Sequence, residues 1–133
     1  MPSIKSRPPE NPDPPFDAEV ISGAAEVVIL VRGDIDIVSA PVLWERMAEI
    51  FPDTKRLVLD LKDTEFIDST GLSIFVRALR RMRYGGGELI LRSLRPKARE
   101  ILDITGLDKV ITVEGDGARA PSIEAAASAA HGQ

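Results

Sequence analysis

The chain has 133 residues, of which 44% are hydrophobic and only 5% aromatic, enough for one core built mainly from Val, Ile and Leu. A formal net charge of −4 argues against generic nucleic-acid binding, which needs a basic face to displace counterions from phosphate, and the lack of cysteine excludes a disulfide framework and any thiolate metal site. The longest wholly apolar run, residues 27–31, is far short of a membrane span, and the polar, proline-rich start lacks the apolar region of a signal peptide, so the chain reads as cytoplasmic, with no stable membrane insertion.

Residues 1–15 hold six of the ten prolines and are expected to be extended and disordered, because they offer few N–H donors and little apolar surface to pack. A ligand for a proline-recognition domain is the alternative reading of this leader. Residues 16–21 and 26–32 read as two strands joined by the turn-length Ser22-Gly23-Ala24-Ala25, which suggests an antiparallel hairpin. Gly33 closes the second strand. Ser39 is placed to be the N-cap of a helix with Pro41 in its first turn, and Leu43, Met47, Ile50 and Phe51 share one face of that helix. Trp44 lies beside the stripe, and its burial is left undecided.

Residues 56–61, Arg-Leu-Val-Leu-Asp-Leu, are nearly unbroken in apolar character, as expected of a strand covered on both faces. A polar turn follows at Asp68-Ser69, residue types whose side-chain oxygens accept from unpartnered N–H groups at a helix start. The helix is expected over 70–84, with Leu72, Phe75, Val76, Leu79 and Met82 facing the core and Ile74 off that stripe, and Gly85-Gly86-Gly87 stops it. Residues 88–92 read as a strand. Residues 96–104 form a helix with Ala98, Ile101 and Leu102 inward, Gly106 just past its end and Leu107 folding back. A short strand over 110–113 completes the domain, and residues 116–133 read as a flexible tail with an Ala-rich piece at 123–130. The order β-β-α-β-α-β-α-β predicts an α/β fold, a mixed β-sheet packed by α-helices in a single domain over 16–115.

The segment 60–72, with its Asp68-Ser69-Thr70-Gly71-Leu72 element, resembles the STAS domain family, specifically its bacterial anti-sigma factor antagonist branch. Gly33-Asp34-Ile35-Asp36 upstream, and Arg95-Pro96-Lys97-Ala98 and Thr105-Gly106-Leu107 downstream, carry the same resemblance. It implies the mixed sheet just described. It further implies that Ser69 is the residue phosphorylated by a cognate anti-sigma factor with a GHKL-type kinase domain, Thr70 being the neighbouring alternative. The loop from Asp36 to Ser39 is then part of a docking surface beside that turn, with Asp68, Ser69, Thr70 and Gly71. Ile74, read as an exposed aliphatic one turn beyond Ser69, is expected to anchor the partner.

Each feature has a plainer reading. Ser69 and Ser39 can be helix caps and nothing more, and Asp34 and Asp36 ordinary loop acids too few for a metal's oxygen shell. The eight basic residues between Arg77 and Arg99 fit either a face for lipid headgroups, nucleotide or acidic protein, or solvated helix surface. Enzyme readings fail on the residues: the single histidine, His131, lies in the tail, and the Gly triplet follows a helix and lacks the Gly-Lys-Ser/Thr of a phosphate-cradling loop. No cofactor or metal is assigned to the chain. The expected function is an anti-sigma factor antagonist that releases a sigma factor and is switched off by phosphorylation at Ser69, with self-association into a homodimer left open. The alternative is a STAS subunit of a sensory or of a lipid- or anion-transport assembly, docking without kinase control.

Overall fold

Val27-Val28-Ile29-Leu30-Val31 and Leu57-Val58-Leu59 carry the β-branched and aliphatic side chains that suit a pleated surface, and they pair as the inner strands of a five-stranded sheet. The structure, a computed structural model, describes residues 16–115. The strands β1 (Asp17–Ser22), β2 (Val27–Arg32), β3 (Arg56–Asp63), β4 (Glu88–Arg92) and β5 (Thr112–Glu114) lie in the sheet in chain order. β1 is antiparallel to β2, with Ala18 opposite Val31, and every other pair is parallel, with Leu57 beside Leu89 and Leu91 beside Val113. The sheet is mixed, as the opening hairpin requires.

Three helices, α1 (Ala40–Ile50), α2 (Ser69–Tyr84) and α3 (Pro96–Thr105), connect the parallel strands. Right-handed crossovers between consecutive neighbours put all three on one face. The core agrees: Ile29, Leu59 and Leu91 from one face of the sheet cluster with Leu43, Phe75 and Leu102 from the helices. Val58 and Ile90 point the other way and are also buried. They share that face with an ion-pair lattice in which Arg56 meets Glu26 at 2.8 Å, Glu88 at 3.1 Å and Glu114 at 2.7 Å. Burial opposes the charge on Arg56, but its hydrogen bonds to Glu26 and Glu114 outweigh that and raise its pKa.

α1 buries Leu43, Met47 and Ile50 as its spacing predicts, and Phe51 is buried in the short 3-10 turn Phe51–Asp53 that follows. Trp44 is half-buried, edge-on to Phe51 with ring centroids 5.4 Å apart, and the Arg77 guanidinium lies 4.2 Å above it. In α2 the buried side differs from the expected one: it is Gly71, Ile74, Phe75, Ala78, Leu79 and Met82, while Leu72 and Val76 are half-buried. Ile74, expected to be exposed, is only 4% exposed and belongs to the core. The reason is that small residues mark where a helix backbone comes closest to its neighbours, so the true stripe is centred on Gly71 and Ala78 rather than on the large aliphatics alone. α3 ends at Gly106 with φ +79, a left-handed conformation natural for glycine, and Leu107 folds back onto the core. The proline-rich leader, the Ala-rich piece at 123–130 and His131 lie outside the described residues.

Candidate functional site

Two loops leave the carboxyl ends of β2 and β3 and are stitched together before the helices begin. Ile35 N–H donates to the Phe66 carbonyl at 3.0 Å, Asp68 N–H donates to the Ile35 carbonyl at 3.1 Å, and the Asp34 carboxylate accepts from Phe66 N–H at 3.1 Å. Ile35 and Ile67 therefore form a short parallel bridge, and both are buried. Gly71 is packed against it: a Cβ there would stand 2.8 Å from the Cγ2 atoms of both isoleucines and 3.0 Å from the Ile35 carbonyl. Gly71 is buried, so its expected part in a docking surface gives way to an internal one, the close seating of α2 on the bridge.

Asp68 caps α2. Its backbone is extended, its side chain accepts from Gly71 N–H at 3.0 Å, and its carbonyl takes the first helical bond from Leu72 N–H at 2.9 Å. Ser69 is the first residue of the helix and is exposed, and its hydroxyl makes no hydrogen bond among the described residues. Thr70, next in the chain, is half-buried. The Ser69 hydroxyl thus stands at a helix N-terminus, where backbone N–H groups favour a nearby anion.

The Asp36 to Ser39 segment is closed on itself. Asp36 Oδ1 accepts from Val38 N–H and Ser39 N–H, both at 3.0 Å, while Ser39 Oγ accepts from Asp36 N–H at 2.9 Å and donates to the Asp34 carbonyl at 2.7 Å. Donation from Ser39 N–H outweighs the opposing effect of burial and, with further donation from Val38 N–H, holds the Asp36 carboxyl below its ordinary range. Ser39 does not cap α1 with its side chain, and at 5% exposure it is not available to a docking protein, contrary to both expectations. The chain makes an extra turn first, closed by Ala40 N–H donating to the Asp36 carbonyl at 2.8 Å, so the accepting side chain sits three residues earlier.

What this closed loop presents outward is apolar. Ile37 is 71% and Val38 77% exposed, Phe66 is 46% exposed in the stitched partner loop, and Val42 is exposed one turn after Val38. Sequence reasoning missed these residues. The available signal was a pair of adjacent β-branched residues inside a loop, between an acid and a serine. Beside Val38 opens a cleft of about 700 Å³ lined by Asp34, Asp36, Asp63, Glu65, Arg32 and Arg95, among others. Arg32 is paired with Asp17 at 2.8 Å and Glu19 at 2.9 Å, and Arg95 meets Glu65 at 3.5 Å. Among the described residues, Asp34, Asp36 and Asp63 have no Lys or Arg within 4.0 Å.

Several of the basic residues of the second half are engaged within the domain. Arg77 and Arg81 rest on Trp44 and Phe51, Arg83 donates to the Val110 carbonyl at 2.9 Å, and Arg92 and Arg95 reach acidic groups. Nor does an imidazole stand near Ser69 among the described residues, since the chain's one histidine is His131.

A family model, STAS domain, matches residues 15–120. The chain is 33% identical over 98 residues to the anti-sigma-B factor antagonist of Bacillus subtilis, covering 74% of this chain and 90% of the relative. An anti-sigma factor antagonist from Mycobacterium paratuberculosis has a structure similar at a TM-score of 0.70 and 28% identity, over 77% of this chain and 88% of that one. The Bacillus cell fate determinant SpoIIAA in its phosphorylated form shares the fold, with a TM-score of 0.60 at 18% identity over 77% of this chain and 93% of that one.

Proposed function

The chain belongs to the STAS domain family, and from that premise we propose that it is an anti-sigma factor antagonist, a non-catalytic cytoplasmic module that captures a kinase-type anti-sigma factor and so frees a sigma factor. Phosphorylation of Ser69 ends the capture. The observation that carries this reading is the exposed Ser69 hydroxyl on the first residue of α2, held between a capped helix and a stitched loop. The half-burial of Thr70 favours Ser69 as the acceptor. Further support comes from relatives that bear the antagonist name and from a solved structure of the same fold described in phosphorylated form. No helix among the described residues is long and apolar enough to cross a membrane.

The physics suits a switch. A phosphate on Ser69 adds about −1.5 to −2 charges, and a helix N-terminus accommodates an anion, so the scaffold survives. The complex does not. A kinase that phosphorylates Ser69 brings its own nucleotide phosphates to that turn, and a phosphoserine buried there faces those charges as well as Asp68. Two unit charges about 4 Å apart interact by roughly 4 kcal/mol at an effective dielectric of 20. Half of that weakens binding more than about tenfold. The test is phosphopeptide mapping after the full chain is incubated with ATP and the kinase-type anti-sigma factor that co-purifies with it. Phosphate on Ser69 alone is the expected result, and phosphate on Thr70, or none, refutes the reading.

A further inference from the structure

We propose that the cleft at the amino-terminal edge of the sheet is a binding site for a small aromatic carboxylate, held by the Arg81 guanidinium and the Tyr84 ring. It lies at the far end of α2 from Ser69, about 20 Å away along a helix that rises about 1.5 Å per residue, and it does not depend on the antagonist reading.

Three segments wall this cleft of about 570 Å³: the turn between β1 and β2, the stretch from Phe51 to Lys55 that leads into β3, and the carboxyl end of α2. That volume is the size of a small-molecule site. Backbone bonds fix the walls. Gly23 N–H donates to the Glu26 carbonyl at 2.9 Å, Glu88 N–H to the Lys55 carbonyl at 2.9 Å and Gly87 N–H to the Met82 carbonyl at 2.7 Å. A Cβ on Gly87 would stand 2.6 Å from the Lys55 carbonyl oxygen and 2.9 Å from Met82 Cε, so the exit of α2 is seated on the entry to β3 without slack. A ligand therefore meets a preformed space and orders little chain on binding.

The charge in the cleft suits one negative group. Lys55 and Arg81 stand against a single lining carboxylate, Asp53, and among the described residues none of the three has an opposite charge within 4.0 Å. Lys55 is already engaged, its Nζ donating to the Gly85 carbonyl at the negative end of α2. Arg81 is the cation left over: its guanidinium lies 5.3 Å from the Phe51 ring centroid and makes no hydrogen bond or ion pair among the described residues. Stacking orients the guanidinium plane and leaves its N–H edge for two parallel bonds to a carboxylate. The carbonyls at the helix end disfavour a polyphosphate, which would crowd several negative charges beside them. The aromatic half of the ligand follows from Tyr84, which lines the same cleft and is 91% exposed. Its ring offers a free face, and a flat ring stacked on it takes both out of water.

The test titrates the isotope-labelled full chain with sodium benzoate, acetate, benzamide and phenyl phosphate at about pH 7.5 and follows its amide signals by NMR. Benzoate is expected to saturate with a Kd of about 1 mM, with shifts gathered at Ala24, Lys55 and Gly85, and acetate and benzamide to bind about tenfold more weakly. Arg81→Gln should weaken benzoate about tenfold or more and Tyr84→Ala about threefold to fivefold, with melting temperature unchanged because both residues are exposed. Arg80→Gln, exposed on the same helix but outside the cleft, should bind as the parent does. No saturable shift up to about 20 mM benzoate, or an Arg81→Gln protein that binds within about threefold of the parent, overturns the site. Saturable shifts gathered around Ser69 instead overturn its location. Acetate as tight as benzoate overturns the aromatic half, and phenyl phosphate, nearly a dianion at this pH, binding more tightly than benzoate overturns the carboxylate.

Discussion

Replacing Gly71 by alanine sets two effects of opposite sign against each other. Alanine is the better helix former, worth about 0.5–1 kcal/mol in a helix interior. Against this, the new methyl would stand 2.8 Å from two isoleucine Cγ2 atoms, about 1 Å inside ordinary carbon contact, and 3.0 Å from the Ile35 carbonyl. Neither neighbour can easily yield. Ile35 and Ile67 are buried and bridged, and moving either one strains the bonds from Ile35 N–H to Phe66 and from Asp68 N–H to Ile35. Overpacking of this kind costs about 1–3 kcal/mol or more, so the clash wins and the net loss is about 1–2 kcal/mol. For a domain of this size that lowers the melting temperature by roughly 5–15 °C, read by calorimetry and checked by urea denaturation. A Gly71→Ala protein that melts at or above the parent temperature would refute the close seating of α2 on the bridge.

Three further outcomes follow from the same geometry. Asp68→Ala removes the acceptor for Gly71 N–H and is expected to cost about 1 kcal/mol in urea denaturation, with Asp68→Ser recovering most of it; equal stabilities of the alanine variant and the parent would contradict the cap. Ile74→Val should cost about 1 kcal/mol and Ile74→Asp should abolish the cooperative melting transition, because the position is inside the core; a folded Ile74→Asp protein would return this residue to the surface. The Asp36 carboxyl titrates below its ordinary value of 3.8 in the folded chain, through donation from Ser39 N–H first. Its contribution to stability is therefore complete above that value and drains away as pH falls through the lower folded-state value. In urea denaturation between about pH 2 and pH 5, Asp36→Asn should flatten part of the acid loss seen in the parent, and an identical pH profile would contradict the internal role of this side chain.

The element order and the sheet were legible because each strand announces itself by a different local rule. The turn-length Ser22-Gly23-Ala24-Ala25 gives the antiparallel hairpin, the unbroken run at 56–61 gives the doubly covered strand, and Gly106 marks the end of α3. A helix start at Asp68-Ser69 and an exposed hydroxyl there were legible for the same reason, since capping depends on near neighbours in the chain, although the cap is Asp68 rather than Ser69 and the helix begins at Ser69 rather than Thr70. What depends on distant neighbours was not. The close contact of Gly71 with Ile35 needs two segments more than thirty residues apart, and the stripe on α2 was misread because Gly71 and Ala78 carry no bulk to count. The Asp36 and Ser39 pair was misassigned because an added turn moved the capping side chain from the serine to the acid. Ile37 and Val38 went unnoticed for a related reason. Their exposure is set by the hydrogen bonds of their flanking residues rather than by any periodicity of their own.

The most direct test compares the affinity of the unmodified chain and of the Ser69-phosphorylated chain for the kinase-type anti-sigma factor, by isothermal titration calorimetry with circular dichroism and melting recorded on both forms. Phosphorylation is expected to raise Kd by more than about tenfold while both forms remain equally folded. Equal affinities, or a phosphorylated chain that has lost its cooperative melting, would contradict a switch that acts on the complex and spares the scaffold.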